Sequence, residues 1–311
     1  MKKTVLLCGL VAQLTIVILL CNTSYSGDPI LGRKPSYTWA SVSSVPNKKA
    51  IGKRIWIPGL DEGLVPQGMT FAEGQILMSL YQSTDPRISK GPSRVYRVDP
   101  QTGNVTGQFD LPSDIGHADG LAYAGINVLY VADTHSHQIY KIDLEIAIKK
   151  GNANEAVIGK ILVDKSMGPA FITYDGRHLW FGKYTKSKSD IPKIYKIDPD
   201  IGFKELPKIN KVSPEIALFS FEIDVESQGA TFDRDGYLWL SQSGSKSGKL
   251  QKVDSSNGKV IKEYEMMAGL EDLALSPDGK LWSVSEAGTK RWLKWDTFYP
   301  LIFEVDITKL K

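Results

Sequence analysis

Residues 117–143 read HADGLAYAGINVLYVADTHSHQIYKID and hold three of the chain's four histidines, with Asp119 and Asp133 among them. Either this is a metal or catalytic cluster, or it is one copy of a structural repeat. The rest of the chain decides, because the same pattern recurs at PQGMTF (66–71), PAFITY (169–174), SQGATF (227–232) and LEDLAL (270–275). A Gly- or Asp-bearing turn follows each start, then a second apolar run: ILMSLY, VLYVAD, LWFGKY, LWLSQS or LWSVSE. After a variable loop comes a third: RVYRVD, QIYKID, KIYKID, KLQKVD or LIFEVD. Apolar alternation punctuated by turn residues is the mark of antiparallel strands.

A fourth run closes four of the units at VTGQFDL (105–111), IGKILVD (158–164), FKELPKI (203–209) and VIKEYEM (260–266). The fifth unit reaches Lys311 without one, and Arg54-Ile-Trp-Ile-Pro58, ahead of the first repeat, has the required character. Four-stranded units repeating every ~45–60 residues describe a β-propeller. The fold expected is therefore all-β, a five-bladed ring whose N-terminal strand completes the last blade and removes a free sheet edge. Residues 201–226 leave room for a degenerate strand pair, which keeps six blades open as the alternative.

Outside the repeats, Met1-Lys2-Lys3 and the apolar run from Thr4 to Leu20 have the form of a signal peptide over 1–26. Residues 27–52 read as a leader and 53–311 as the propeller. Both cysteines, Cys8 and Cys21, fall in the first segment, so the mature chain has neither thiol nor disulfide. Secretion or periplasmic export is expected, with lipoprotein anchoring through Cys21 as a minor alternative and no other membrane segment. The formal charge of +3 includes Lys2 and Lys3. Without them the chain is nearly neutral, which gives no support for nucleic-acid binding.

Antiparallel topology brings the start of each inner strand and the end of the second strand to one face. Inner-strand starts contribute Gln67, Asp119, Gln228 and Glu271, with Asp272 next to the last. Second-strand ends contribute Tyr81, Asp133, Lys183, Tyr184, Gln242 and Glu286. Asp119, Gln228, Glu271 and Asp272 are candidate ligands for one divalent cation, and their oxygen donors favour calcium. The alternative is a wet channel lining without metal. No organic cofactor is expected. The loops between second and third strands are rich in Lys and Arg, and the last carries Arg291, Trp292 and Trp295. A basic, aromatic rim suits a small anionic or carbohydrate ligand, or a protein partner.

The D-G-x-L-W and I-Y-K-I-D elements resemble those of NHL-type and gluconolactonase- or regucalcin-like propellers over nearly the whole mature chain. That resemblance implies a metal-dependent, lactonase-like hydrolase as an alternative to a purely binding protein. The family's full Glu/Asn/Asp metal set is not matched here. The segments PQGMTF and SRVYRVDPQTGNV are similar to the first blade of plant-type glutaminyl cyclases, also five-bladed, with ADGL standing where that family has EGL. No catalytic roles are carried over from either family. The chain has no G-x-S-x-G element, and the mature part has no cysteine, so no serine or cysteine nucleophile is indicated.

Overall fold

In the computed structural model, which describes residues 29–203 and 211–311, the repeats become five small sheets arranged as a ring. The first blade is built from Leu64–Ala72, Gln75–Gln82, Ser93–Val98 and Val105–Asp110. The opening stretch supplies Ala118–Tyr123, Val128–Asp133 and Gln138–Asp143, and Val157–Val163 completes the second blade. Phe171–Tyr174, Leu179–Gly182 and Lys193–Ile197 begin the third, while Ser227–Phe232, Leu238–Ser243, Gly248–Val253 and Val260–Met266 make the fourth.

The fifth blade contains Leu270–Leu275, Leu281–Ser285 and Leu301–Val305, and Ile51–Trp56 is its outer strand. That strand pairs antiparallel with the C-terminal one, Ile55 opposite Ile302 and Trp56 opposite Leu301. Closure by the N-terminal strand is thus as the repeats predict, two residues earlier than the expected Lys53–Pro58.

Two expectations need correction. The outer strand of the third blade is Phe219–Glu222, hydrogen-bonded to Lys193–Ile197, rather than FKELPKI. Phe203 ends a short helix, and 204–210 lie outside the described residues. The sixth blade is also absent: Lys211–Val212 joins the second blade as a short parallel edge, so the spare residues extend existing sheets.

The export segment lies outside the described residues. Among those described, no helix is long and apolar enough to cross a membrane. Residues 29–50, read as a leader, are packed on the ring. Leu31 bridges to Ile55, Ser43 N–H donates to Phe298 O at 2.9 Å, and Ala50 is buried.

Blade contact explains two sequence features. Trp180 meets Phe232 of the next blade at 5.4 Å between ring centroids, and Trp282 meets Phe71 at 6.1 Å. Trp239 lies in the cluster shared by the fourth and fifth blades. The second feature is the glycine that follows the polar residue in PQG, ADG and SQG. A Cβ on Gly68 would come within 2.9 Å of Gly120 Cα, one on Gly120 within 2.8 Å of Phe171 Cα, and one on Gly229 within 2.4 Å of Asp272 Cα. Inner strands approach so closely at the axis that a side chain fits there only where the repeat permits it.

Asp272 occupies the glycine position of the fifth repeat and is wholly buried. Its carboxylate accepts N–H bonds from Met69 (2.9 Å), Ala230 (3.2 Å) and Leu273 (2.8 Å), with Leu121 at a long 3.5 Å. One side chain therefore ties the inner strands of four blades at the axis.

Candidate functional site

Above this axle the inner-strand starts and second-strand ends surround a cavity of about 530 Å³ at one mouth of the channel. Its floor is a chain of polar side chains drawn from four blades. His117 Nε2 lies 3.0 Å from Gln67 Oε1 and 3.3 Å from Asp119 Oδ1. Gln67 Nε2 donates to Pro66 O at 2.6 Å, and Glu286 sits beside both Gln67 and Glu271. Gln228 Nε2 donates to Glu271 Oε1 at 3.2 Å, and Trp292 Nε1 donates to Glu286 Oε2 at 2.6 Å.

Burial sets the electrostatics. It drives Glu271 well above the usual carboxylate range, with the charge of Glu286 adding to the effect. Glu286, also buried, is pushed up to about 7, the bonds from Trp292, Glu271 and Gln67 and the charge of Lys186 partly opposing the shift. Two adjacent buried carboxyls cannot both ionise cheaply, so they share one proton near neutrality. Burial lowers His117 to about 4, leaving it neutral at pH 7. It also raises Asp119, whose Oδ2 accepts from Thr134 N at 2.9 Å and Thr134 Oγ1 at 2.5 Å.

The walls come from the loops. Tyr81 packs on the His117 ring at 4.1 Å between centroids. Trp292 and Trp295 stack on each other at 4.6 Å. Tyr184, Lys183 and Arg291 complete the lining, with Lys183 paired to Asp190 at 2.6 Å. Residues 29–50 brace the loop that carries the tryptophans, because Tyr37 Oη donates to Gly288 O at 2.7 Å and Phe298 N–H to Ser43 Oγ at 2.9 Å.

Most of the residues expected at the mouth from topology meet there, but the buried Glu271 and Asp272 are not part of the cavity lining, and neither are Asp133 and Gln242. Strand alternation sends the last two the other way. Asp133 is wholly buried and accepts from His117 N and Ser136 N. Gln242 bonds Gln251 at 2.6 Å in a separate network. The four candidate metal ligands are already engaged: Asp272 by backbone N–H groups, Asp119 by Thr134, Gln228 and Glu271 by each other. Among the described residues no three His, Cys, Asp or Glu are grouped to hold a metal ion.

Sequence reasoning brought Glu271 and Glu286 to the same mouth but did not foresee that burial raises both carboxyls. The signal is the LWSVSE run, which ends in Glu286 where the equivalent LWLSQS run ends in Ser243. Pro86, Ser89 and Lys186 also reach the cavity from loops that carry no pattern. His137 lines the cavity as well, whereas His178 sits in its turn on the opposite face, half-buried, against Asp175 Oδ2 at 3.2 Å.

A glutaminyl cyclase from Myxococcus xanthus is similar in structure, with TM-score 0.54 and 12% identity over 82% of this chain and 94% of its own. An aldose sugar dehydrogenase from Streptomyces coelicolor also matches (TM-score 0.42, 17% identity, 72% and 78% covered), as does a virginiamycin B lyase from Staphylococcus aureus (0.38, 15%, 76% and 68%). The chain matches no protein-family model and no curated protein. At these identities the likeness shows the β-propeller fold alone; the NHL or gluconolactonase part of the sequence resemblance is not confirmed.

Proposed function

We propose that the mouth is an acid–base site for amide chemistry on a small substrate, and that its reaction is the cyclisation of a terminal glutaminyl residue. One observation carries this reading: Glu286 faces the cavity with its carboxyl raised by burial to about 7. In such a cyclisation the substrate's own α-amine attacks its γ-carboxamide carbon, so the protein supplies no nucleophile. A ring C–N bond forms and the amide C–N bond breaks. Ionised Glu286 takes the proton from the attacking nitrogen and returns it to the departing one, which leaves as ammonia. Trp292 Nε1 holds the carboxyl in place. The first-blade similarity to glutaminyl cyclases, in PQGMTF and SRVYRVDPQTGNV, supports the same reading.

Ammonia release from glutaminyl-glycine is the direct test. Turnover should fall by roughly 10²–10⁴ in Glu286→Gln, and no ammonia from the wild-type protein would sink the proposal. The stacked Trp292–Trp295 pair at the rim favours a second reading, an exported protein that binds a small anionic or sugar-like ligand without turnover. In that case Trp295→Ala weakens capture while Glu286→Gln leaves it intact.

A further inference from the structure

One wall of the cavity holds a cation with no counter-charge. Arg291 is only 8% exposed, and its guanidinium carbon lies 4.4 Å from the centre of the Trp292 ring and 5.4 Å from that of Tyr81. Nη2 donates to Pro86 O at 3.1 Å, and Nε has no partner among the described residues. No carboxylate among the described residues pairs with it. Beside it, the wholly buried Tyr81 has a hydroxyl that likewise finds no partner. A guanidinium withdrawn from water and left unpaired is costly unless something else arrives to pair with it. Trp292 also separates it from the acid–base pair, since its N–H bonds Glu286 while its face meets Arg291. The cation therefore does not quench the proton affinity of Glu286.

We propose that Arg291 and Tyr81 form a carboxylate-recognition subsite, so that the substrate is a short glutaminyl compound carrying a free carboxylate close to its reacting end. This deepens the cyclase reading and rests on it for the identity of the reacting group. One cation between two aromatic faces balances one negative charge. A phosphate dianion would keep an uncompensated charge in the same apolar setting. Lys183, another cation of the lining, is already paired with Asp190. The span from Glu286 across the Trp292 indole to Arg291 is on the order of two residues of extended chain. Such a reach fits either the terminal carboxylate of a dipeptide or an acidic side chain at the second position.

The test compares glutaminyl-glycine, glutaminyl-glycinamide and glutaminyl-aspartic acid α-amide, using ammonia release and titration calorimetry on the same samples. Wild-type protein should bind a carboxylate-bearing compound roughly tenfold to a hundredfold more tightly than the glycinamide. Arg291→Gln should erase the preference. Tyr81→Phe keeps the ring against His117 and removes only the hydroxyl, so it should reduce the preference in a chain that folds. Preference for glutaminyl-glycine identifies a terminal carboxylate as the ligand, and preference for the aspartyl amide identifies a side chain. Preferential binding without ammonia from any compound would refute the cyclase reading and leave the subsite standing. Equal binding of acid and amide, no binding at all, or a preference that survives Arg291→Gln would overturn the subsite whatever the turnover.

Discussion

At the residue scale, Asp272 and Glu286 are both buried acids, but with different partners. Asp272 accepts N–H bonds from several blades, so Asp272→Ala should strand those donors and lower stability by at least about 3 kcal/mol in a denaturant titration. Glu286 contributes a pH dependence with a definite sign. Its carboxyl is raised from 4.5 to about 7 by burial, so between these values the folded chain holds a proton that the unfolded chain has lost. The stability it contributes is complete below pH 4.5 and disappears as pH rises through 7. His117, lowered from 6.5 to about 4, acts in the opposite direction over an overlapping range. The clean measurement is therefore the difference between Glu286→Gln and wild type: the variant's relative melting temperature should climb from pH 4.5 to 7. A constant difference would mean that Glu286 ionises as an ordinary surface carboxylate does.

At the scale of elements, blades are joined by second-strand aromatics and by the strap of residues 29–50. Trp239 is buried between blades, its Nε1 bonded to Asp233 Oδ2 at 3.0 Å, and replacement by Ala should cost about 3–5 kcal/mol. The strap meets the fifth-blade loop at Gly288 and Phe298, and Ser36 also bonds Asp61 ahead of the first inner strand. Tyr37→Phe removes one hydrogen bond to that loop and should raise KM with little change in melting temperature. An unchanged KM would show that the loop holds its shape unaided. Residues 29–50 were legible only as irregular sequence, because they pack through scattered contacts with no period to reveal them. The third blade's outer strand, Phe219–Glu222, was missed for a related reason. It is short and mostly exposed, so it lacks the alternation that marks a half-buried strand.

On the scale of the whole molecule, the ring closes through pairing of Ile51–Trp56 with Leu301–Val305. Removing residues up to Pro58 should open a sheet edge and lead to aggregation. A truncated chain that melts at the wild-type temperature would contradict that account of closure. Since the candidate cation ligands at the mouth are engaged by protein groups, EDTA should leave the melting temperature unchanged. A drop would point to a bound ion stabilising the folded state by mass action.

The sequence alone determined the architecture, because a propeller writes each blade as a local pattern: apolar alternation, a Gly or Asp turn, and an aromatic fixed in the second strand. Topology then carried Gln67, Asp119, Gln228, Glu271 and Glu286 to one mouth without any coordinates. Only the tertiary structure decided what those residues are to each other. Whether Asp272 binds a cation or backbone N–H groups depends on how closely four inner strands converge, and that distance is set by glycines on other blades. Whether Glu286 ionises as an ordinary carboxylate depends on its burial. The isolation of Arg291 rests on a tryptophan standing between two charges. Burial and pairwise distance are properties of the closed ring, and no stretch of the chain encodes them by itself.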